Sequence, residues 1–429
     1  MPNCSAMFVR LFALALIAVL GLSRPAHADA RDRAFRAEMY DVIRKLRAEH
    51  TQPGAQVVLV TMGIGNLIWE RHGHIALCVL YDNPDDDACY NYGIANFHAP
   101  IGMTWGFFRG TKSFWVGKLA PDEMLQIYVY YDRTIWAQPL QLDPPAVKQV
   151  IDKLEYDIQE DHKYYAYDHF DDNCTTRVRD IIDKATNGAL SAMKEPVDGR
   201  TYRDLAREGF YSMKVPLLIT DIAMGRSTDR VPDFYQRMFL PQYLREAVHK
   251  KWGIDAVVLY ERHGPPASND DASGRFLFAL VILLLTAPVW ATRLWRRFER
   301  AGLWVALVPQ LVLGSALWFF AIISPLPYVR GNETCLVLLP ADILLALLPP
   351  ARARLYARGR VVMLALLALL DLVGLLHQPL LAPILWPLVP NAVIAFWPER
   401  QQAAAAAAKD KPEATSPARE TRAARARRG

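Results

Sequence analysis

The pattern of apolar and polar residues divides the chain into two unlike halves. Up to about residue 274, short apolar segments alternate with polar turns, which is typical of a soluble domain. From residue 276 to 397 the sequence is almost continuously apolar. The first half therefore predicts a water-facing domain, and the second half predicts a membrane region.

Within the first half, the spacing of apolar residues predicts both helices and strands. Helices are predicted at 31–50, 144–160 and 173–185. Strands are predicted at 56–61, 67–70, 75–81, 88–93, 114–119 and 126–131. We expect an α+β domain in which helices lie on both sides of a strand-rich centre.

Five apolar segments make up the second half, within residues 275–398. They lie near 276–292, 303–324, 335–350, 361–377 and 379–397. Each approaches the ~20 residues that a helix needs to cross a bilayer. Arginines cluster after the first and third segments, and a basic tail follows the fifth. The positive-inside rule then predicts a multi-pass inner-membrane protein whose first domain lies in the periplasm.

The remaining segments complete this predicted organisation. Residues 1–28 combine a charged start, a short apolar run and the small residues Ala26 and Ala28, which predicts a signal peptide; an uncleaved anchor would give the same orientation. The periplasmic domain then spans 29–261, a polar linker 262–274, and a disordered basic cytoplasmic tail 399–429. The net charge of +5 comes mainly from the tail and the membrane flanks, so it reports topology and not nucleic-acid binding.

The cysteines suggest one disulfide and one reactive thiol. Cys78 and Cys89 flank a turn-rich loop between two predicted strands, so they are expected to form a disulfide in an oxidising compartment. Cys335 begins an apolar segment. Cys174 then remains unpaired in the exported domain, and its polar neighbours argue against an inert core position.

Cys174 and His74 are the candidate catalytic pair. Cys174 begins a predicted helix, where the helix dipole and free N–H groups favour a thiolate, and His74 begins a predicted strand. Papain-like folds combine a helix cysteine with a sheet histidine; here the histidine comes first, as in circularly permuted forms. Asn91 is the candidate third residue that orients the imidazole. His72 competes with His74, but we interpret it as an exposed loop histidine.

Other polar and aromatic residues give weaker signals. Tyr165, Tyr167 and Thr175 are candidate substrate-binding residues beside Cys174, and core packing is the alternative for the tyrosines. The histidines and aspartates of 161–172 lack regular ligand spacing, so no metal is predicted. Asp342 and Asp371 lie within apolar segments, where they either serve function or pair with nearby arginines.

Three sequence motifs resemble the Lnb N-terminal periplasmic domain family. They are Gly73-His-Ile-Ala-Leu77, then Asn91-Tyr-Gly93, then Tyr165-x-Tyr-x-x-Phe-x-x-Asn-Cys-Thr-Thr-x-x-x-Asp180. The later Asp221-x-x-x-Gly-x-x-x-Asp229 and Met238-Phe-Leu-Pro241 resemble that domain's closing segment. The resemblance covers about residues 50–245.

The resemblance implies a circularly permuted, NlpC/P60-type papain-like thiol enzyme without a cofactor. Characterised members transfer an acyl chain from lipid to the N-terminal cysteine of bacterial lipoproteins, so Cys174 would be the nucleophile and His74 the base. The implied partners are membrane phospholipid, diacylated lipoproteins and the lipid bilayer. Two alternatives stay open: a periplasmic cysteine amidase or peptidase acting on cell-wall peptide, and a non-catalytic periplasmic sensor or assembly module.

Overall fold

The computed structural model describes residues 25–268 and 274–397 of the 429-residue chain. The predicted signal peptide up to residue 24, residues 269–273 of the predicted linker and the tail from residue 398 lie outside the described residues.

The first half is built around one antiparallel sheet of seven strands. In spatial order these are β6, β4, β3, β2, β1, β5 and β7. Their bounds are β1 Gln56–Met62, β2 His74–Leu80, β3 Ala88–Ile94, β4 Phe114–Leu119, β5 Ile135–Pro139, β6 Tyr164–Tyr165 and β7 Val257–Tyr260. Every residue of β1 is buried, because this strand pairs on both edges and helices cover both of its faces.

Helices pack on the two faces of this sheet. Their bounds are α1 Pro25–Ala48, α2 Pro100–Arg109, α3 Pro121–Tyr130, α4 Pro144–Asp157, α5 Cys174–Ala185, α6 Tyr202–Gly209, α7 Lys214–Ala223, α8 Phe234–Arg237 and α9 Pro241–Trp252. The core of α1 and α3 includes Val58 and Val60 of β1. The larger core of α4, α5 and α9 includes Val57 and Leu59 of the same strand. Alternate residues of β1 thus belong to two different cores, one on each face of the sheet. The domain is α+β, as predicted.

Two predicted strands are helical instead. Residues 67–70 form a short 3₁₀ turn, Ile68–Glu70. Residues 126–130 belong to α3, which begins with Pro121 at its first position. Met124, Leu125 and Tyr128 are buried on one helical face, so a 3.6-residue period prevails over the β-forming composition.

The second half contains four long helices. They are α10 Gly274–Trp295, α11 Glu299–Ile323, α15 Pro350–Leu372 and α16 Leu381–Phe396. Of the described helices, α10 and α11 are long and apolar enough to cross a membrane, whereas α16 is apolar but shorter. These two helices fit a membrane protein with a periplasmic domain.

The third predicted segment, 335–350, is wrong as a single spanning helix. It consists of short pieces: α13 Thr334–Val337, the 3₁₀ turn Pro340–Ile343 and α14 Leu344–Leu347. Pro340 interrupts the helix, and Asp342 in that turn is fully buried in an ion pair with Arg360.

The segment after α11 connects the two halves. The short helix α12, Pro327–Arg330, and its neighbour Leu326 belong to the core of the first domain. The Tyr328 ring meets the Phe170 ring edge to face, with centroids 5.0 Å apart. The Gly225 N–H donates to the Tyr328 carbonyl. The apolar half is therefore packed directly against the domain that carries Cys174.

Candidate functional site

Cys174 is the first residue of α5, and the residue before it fixes the start of that helix. The Asn173 side chain accepts from the N–H groups of Thr175, at 2.8 Å, and Thr176, at 2.9 Å. The same amide donates to the Phe239 carbonyl at 2.9 Å. This capping fixes where the helix starts. The cysteine itself is 7% exposed.

His74 is the first residue of β2, and Gly93 of β3 lies between it and Cys174. A β-carbon at Gly93 would lie 3.5 Å from Cys174 Cβ and 3.7 Å from His74 Cε1. Gly93 has φ +86°, a conformation that glycine adopts without a steric penalty. The absence of a side chain here thus lets the thiol and the imidazole face the same small space.

The thiol and the imidazole are close but not hydrogen-bonded to each other in the described part of the chain. Cys174 Sγ instead contacts Thr175 Oγ1 at 3.8 Å. Catalytic groups often lie beyond hydrogen-bonding distance of each other without substrate, and their contacts tighten once substrate is bound.

Asn91 orients the imidazole. Its Oδ1 accepts from His74 Nε2 at 2.5 Å, and its Nδ2 donates to the Tyr128 hydroxyl at 3.2 Å. Because Nε2 carries the proton in this arrangement, the unprotonated nitrogen is Nδ1. Cys174, His74 and Asn91, the three residues predicted as the candidate site, thus lie together in the fold.

A buried polar chain continues from Asn91 into the protein. The Tyr128 ring lies parallel to the His74 ring, with centroids 5.9 Å apart. The Arg133 guanidinium lies over the Tyr128 ring, 5.0 Å from its centroid. Arg133 also lies 3.7 Å from Glu70 Oε1 and donates to the Gly63 carbonyl. This chain of contacts restrains the imidazole.

Burial determines the resting protonation of the pair. It lowers the pKa of His74 to about 4, although the hydrogen bond to Asn91 partly opposes the shift. Burial also raises the pKa of the Cys174 thiol, against the hydrogen bond from Thr175 and the charge of Arg133. At neutral pH the site thus holds a thiol beside a neutral imidazole, which is a base ready to accept the proton. The helix dipole does not suffice to keep a thiolate here.

A disulfide ties together the strands that carry the histidine and the asparagine. Cys78 of β2 lies directly opposite Cys89 of β3, with Cα atoms 3.9 Å apart, and the two are bonded. This is the pairing that the sequence predicted. Ala76 faces Asn91 in the same ladder, so the bond lies two residue pairs beyond the asparagine and holds the register of the site.

The predicted substrate-binding residues occupy different positions. Tyr165 is buried, and its hydroxyl lies 3.7 Å from the β-carbon position at Gly93, donating to no described residue. Tyr167 is partly buried, with its ring 4.6 Å from that of Phe114. Thr175 is fully buried and contacts the sulfur, so it supports the nucleophile and does not line an opening.

His72 and Asp342 have structural roles. His72 is not an exposed loop residue: its Nε2 donates to the Ala206 carbonyl at 2.9 Å, and its ring lies 4.6 Å from that of His169. Asp342 pairs with Arg360, which is the structural alternative for a membrane-segment carboxylate. In the described ranges, no group of three or more His, Cys, Asp or Glu is placed to hold a metal ion.

Sequence reasoning missed Gly93, Tyr128 and Arg133 as parts of the site. Gly93 carried a usable signal, since a glycine that ends a strand often allows close approach of another group. The sequence predicts a strand over Tyr128, which is helical, and nothing local marks Arg133, which reaches the site only through tertiary packing.

Comparison with known proteins identifies the domain that carries this site. No curated protein and no solved structure shows a significant match to the chain. Residues 46–208 match the family model described as the Lnb N-terminal periplasmic domain, and this range contains His74, Asn91 and Cys174. The part of the chain that carries the site, residues 46–208, is therefore similar to the Lnb N-terminal periplasmic domain.

Proposed function

We propose that this protein is a membrane-bound thiol acyltransferase that carries an acyl chain on Cys174. The observation that supports this proposal best is the meeting of a helix-start cysteine and an Asn91-oriented histidine across Gly93. The arrangement resembles the Cys-His-Asn site of papain-like proteases, in which acyl groups pass through a thioester. The family match and the two long apolar helices support a lipid substrate at a membrane.

In the first half-reaction, Cys174 attacks an ester carbonyl of a membrane lipid. His74 Nδ1 accepts the thiol proton as the S–C bond forms, and Asn91 stabilises the resulting imidazolium. When the intermediate collapses, the ester C–O bond breaks and His74 returns the proton to the departing lipid alcohol. The products are a Cys174 thioester and a lysolipid.

The negative oxygen of the intermediate needs hydrogen-bond donors. The N–H groups of Thr175 and Thr176 already donate to Asn173, so this cap leaves only the N–H of Cys174 itself at the start of the helix. The Tyr165 hydroxyl is the second donor in the proposal, because it is buried beside Gly93 and donates to no described residue. A hydroxyl that donates to no described residue in this position can give its proton to the oxyanion as it forms.

In the second half-reaction, an amine attacks the thioester. The proposed acceptor is the N-terminal amine of a diacylated lipoprotein, with His74 taking the amine proton as the C–N bond forms. The S–C bond then breaks, and the sulfur recovers its proton from His74. The acceptor decides the enzyme class: water in place of the amine would make the protein a hydrolase.

Mass spectrometry of the intact protein tests the intermediate. After incubation with phospholipid, the wild type should gain one acyl mass that hydroxylamine removes. Cys335→Ser is the matched control, since Cys335 is the other buried free cysteine in the described ranges. It should acquire the acyl group as the wild type does, whereas Cys174→Ser should not.

The acceptor is tested separately on lipoprotein N-termini from cells with and without this protein. An additional amide-linked acyl chain that depends on Cys174 supports transfer to the amine. Release of free fatty acid alone indicates a hydrolase, and cleavage of cell-wall peptide without acyl loading of Cys174 indicates the amidase alternative. A wild type that never acquires the acyl mass, together with an active Cys174→Ser variant, would contradict the nucleophile assignment.

A further inference from the structure

A band of exposed apolar side chains borders the loops next to the site. One loop leads from β1 to His74, and the other leads from β3 to α2. We call this band the apolar rim, and its members are Leu67, Ile68, Trp69, Phe97, Ile101 and Trp105. Trp69 stacks on Phe97 with ring centroids 5.3 Å apart, so the two loops form one continuous surface.

The apolar rim is continuous with a candidate membrane helix. Trp105 of α2 stacks on Phe319 of α11, with centroids 6.0 Å apart, and Phe108 packs on Phe320 at 4.4 Å. Both α11 residues lie within the last turns of that helix, close to its end at Ile323. At 1.5 Å per residue, Phe319 is only ~6 Å from the helix end, which is where the interfacial layer of the bilayer would lie.

The residue types of the apolar rim suit the interfacial layer of a bilayer and not bulk water. Ile101 is 87% exposed and Trp105 is 47% exposed on the same short helix. Tryptophan is enriched at membrane interfaces, because its ring combines an apolar body with a polar N–H. Arg109 and Lys112, both exposed, follow at the end of α2 and can meet the phosphates of anionic headgroups.

We propose that the apolar rim lies in the outer interfacial layer of the bilayer and admits lipid sideways to Cys174. His74 and Asn91 lie next to the same two loops. A lipid ester held at the depth of the apolar rim therefore reaches the Cys174 thiol without its acyl chains crossing water. The contact with the bilayer stands independently, whereas the delivery of lipid to Cys174 rests on the proposed function.

Photocrosslinking in a bilayer tests the contact. The full-length protein is reconstituted in phosphatidylethanolamine and phosphatidylglycerol vesicles that contain a phospholipid with a diazirine near the glycerol. Peptides covering residues 64–73 and 96–109 should be labelled, and those containing the exposed Tyr40 and Tyr130 should not. Labelling confined to the long apolar helices, with none in the rim, would overturn the proposal.

Exposed-residue variants test the delivery of lipid. Trp69→Ser, Ile101→Ser and Trp105→Ser should each raise the apparent KM for bilayer lipid by about ten-fold, the partition effect expected of one large apolar side chain. Tyr130→Ser is the matched control with an exposed aromatic residue away from the rim, and it should leave KM unchanged. Alkylation of Cys174 by iodoacetamide should stay at the wild-type rate in all four, which shows that the site is intact.

The outcomes separate this proposal from the proposed function. Rim labelling without any acyl loading of Cys174 supports the membrane contact and contradicts the acyltransferase. Normal acyl loading and an unchanged KM in all three rim variants supports the acyltransferase and contradicts delivery through the rim.

Discussion

Two buried polar networks in this molecule have opposite chemical characters. In the second half, Asp342 accepts from Arg360 through both oxygens, and Gln310 and Tyr356 complete its hydrogen bonds. In the first half, His74 bonds to Asn91 on one side, and it makes no hydrogen bond to the Cys174 thiol, which contacts Thr175 instead.

The difference shows which network has hydrogen-bonding capacity left for a ligand. A buried charge pair with all its oxygens satisfied is stabilised by its partners and gains nothing from a ligand. The His74 network keeps a neutral base, a buried thiol and a Tyr165 hydroxyl that donates to no described residue. Groups left in that state are characteristic of a site that completes its bonding with substrate.

The largest expected effect is on turnover, from Cys174→Ser. Serine has nearly the same shape but is far less ionised than a thiol, so we expect acyl transfer to fall by about 10³-fold or more. The melting temperature should stay close to that of the wild type. Rates of acyl loading and thermal melting in the same detergent measure the two quantities. Wild-type turnover in this variant would show that the Cys174 network, like the Asp342 ion pair, has only a structural role.

Arg360→Met should act on stability instead. It leaves the Asp342 carboxylate buried without its cation, and we expect a loss of about 3–5 kcal/mol in the free energy of unfolding. Arg358→Met on the same helix is the matched control, because Arg358 is exposed. Alkylation of Cys174 by iodoacetamide should be unchanged in both variants.

A double variant separates the cost of a buried unpaired charge from general damage to the fold. Asp342→Leu combined with Arg360→Met removes both charges and should recover most of the stability. If Arg360→Met melts like the wild type, or if the double variant is the least stable of the three, the pair is not the structural element that its burial indicates.

Gly93→Ala tests the space shared by the thiol and the imidazole. The added methyl would fill the space between Cys174 and His74 in ordinary van der Waals contact with both, so the thiol can no longer close on the imidazole; misplacing such a pair by about 1 Å costs about 10²-fold in rate. Gly54→Ala is the matched control: it has the same φ of +86°, and a β-carbon there meets nothing within 4 Å. Both variants should lose about 1–2 kcal/mol from backbone strain, but only Gly93→Ala should lose turnover. Equal kinetic effects would show that strain alone is responsible.

Much of the domain was predictable, because its strongest signals are local. The alternating run of β2, the cap at Asn173 and the turn between Cys78 and Cys89 are each encoded within a few residues. Asn91 was predictable as a candidate, because it lies on the strand after His74. The hydrogen bond between Asn91 and His74 therefore followed from strand adjacency.

The rest depends on tertiary packing. Strand β7 pairs with β5 more than a hundred residues earlier in the chain, and no local pattern indicates that pairing. The segment 335–350 has the composition of a membrane helix, but Pro340 interrupts it and Arg360 supplies a partner for Asp342 from another helix. Arg133 likewise joins the site only through contacts made after folding.

The smallest expected effect is on the pH dependence of stability, and it arises from His72, a histidine next to the site. Burial lowers the pKa of His72 to about 4, below the ~6.5 of an unfolded histidine. The folded state therefore favours the neutral ring. Its stability contribution is complete above pH ~6.5 and is lost as the pH falls toward ~4, by up to about 1.4 kcal/mol per pH unit. In His72→Gln, whose amide can still donate to the Ala206 carbonyl, the drop in melting temperature between neutral and mildly acidic pH should be smaller than in the wild type. His162→Gln, at an exposed position, should keep the wild-type dependence. An unchanged slope in His72→Gln would show that the acid sensitivity of this domain arises from other groups than the histidine beside its site.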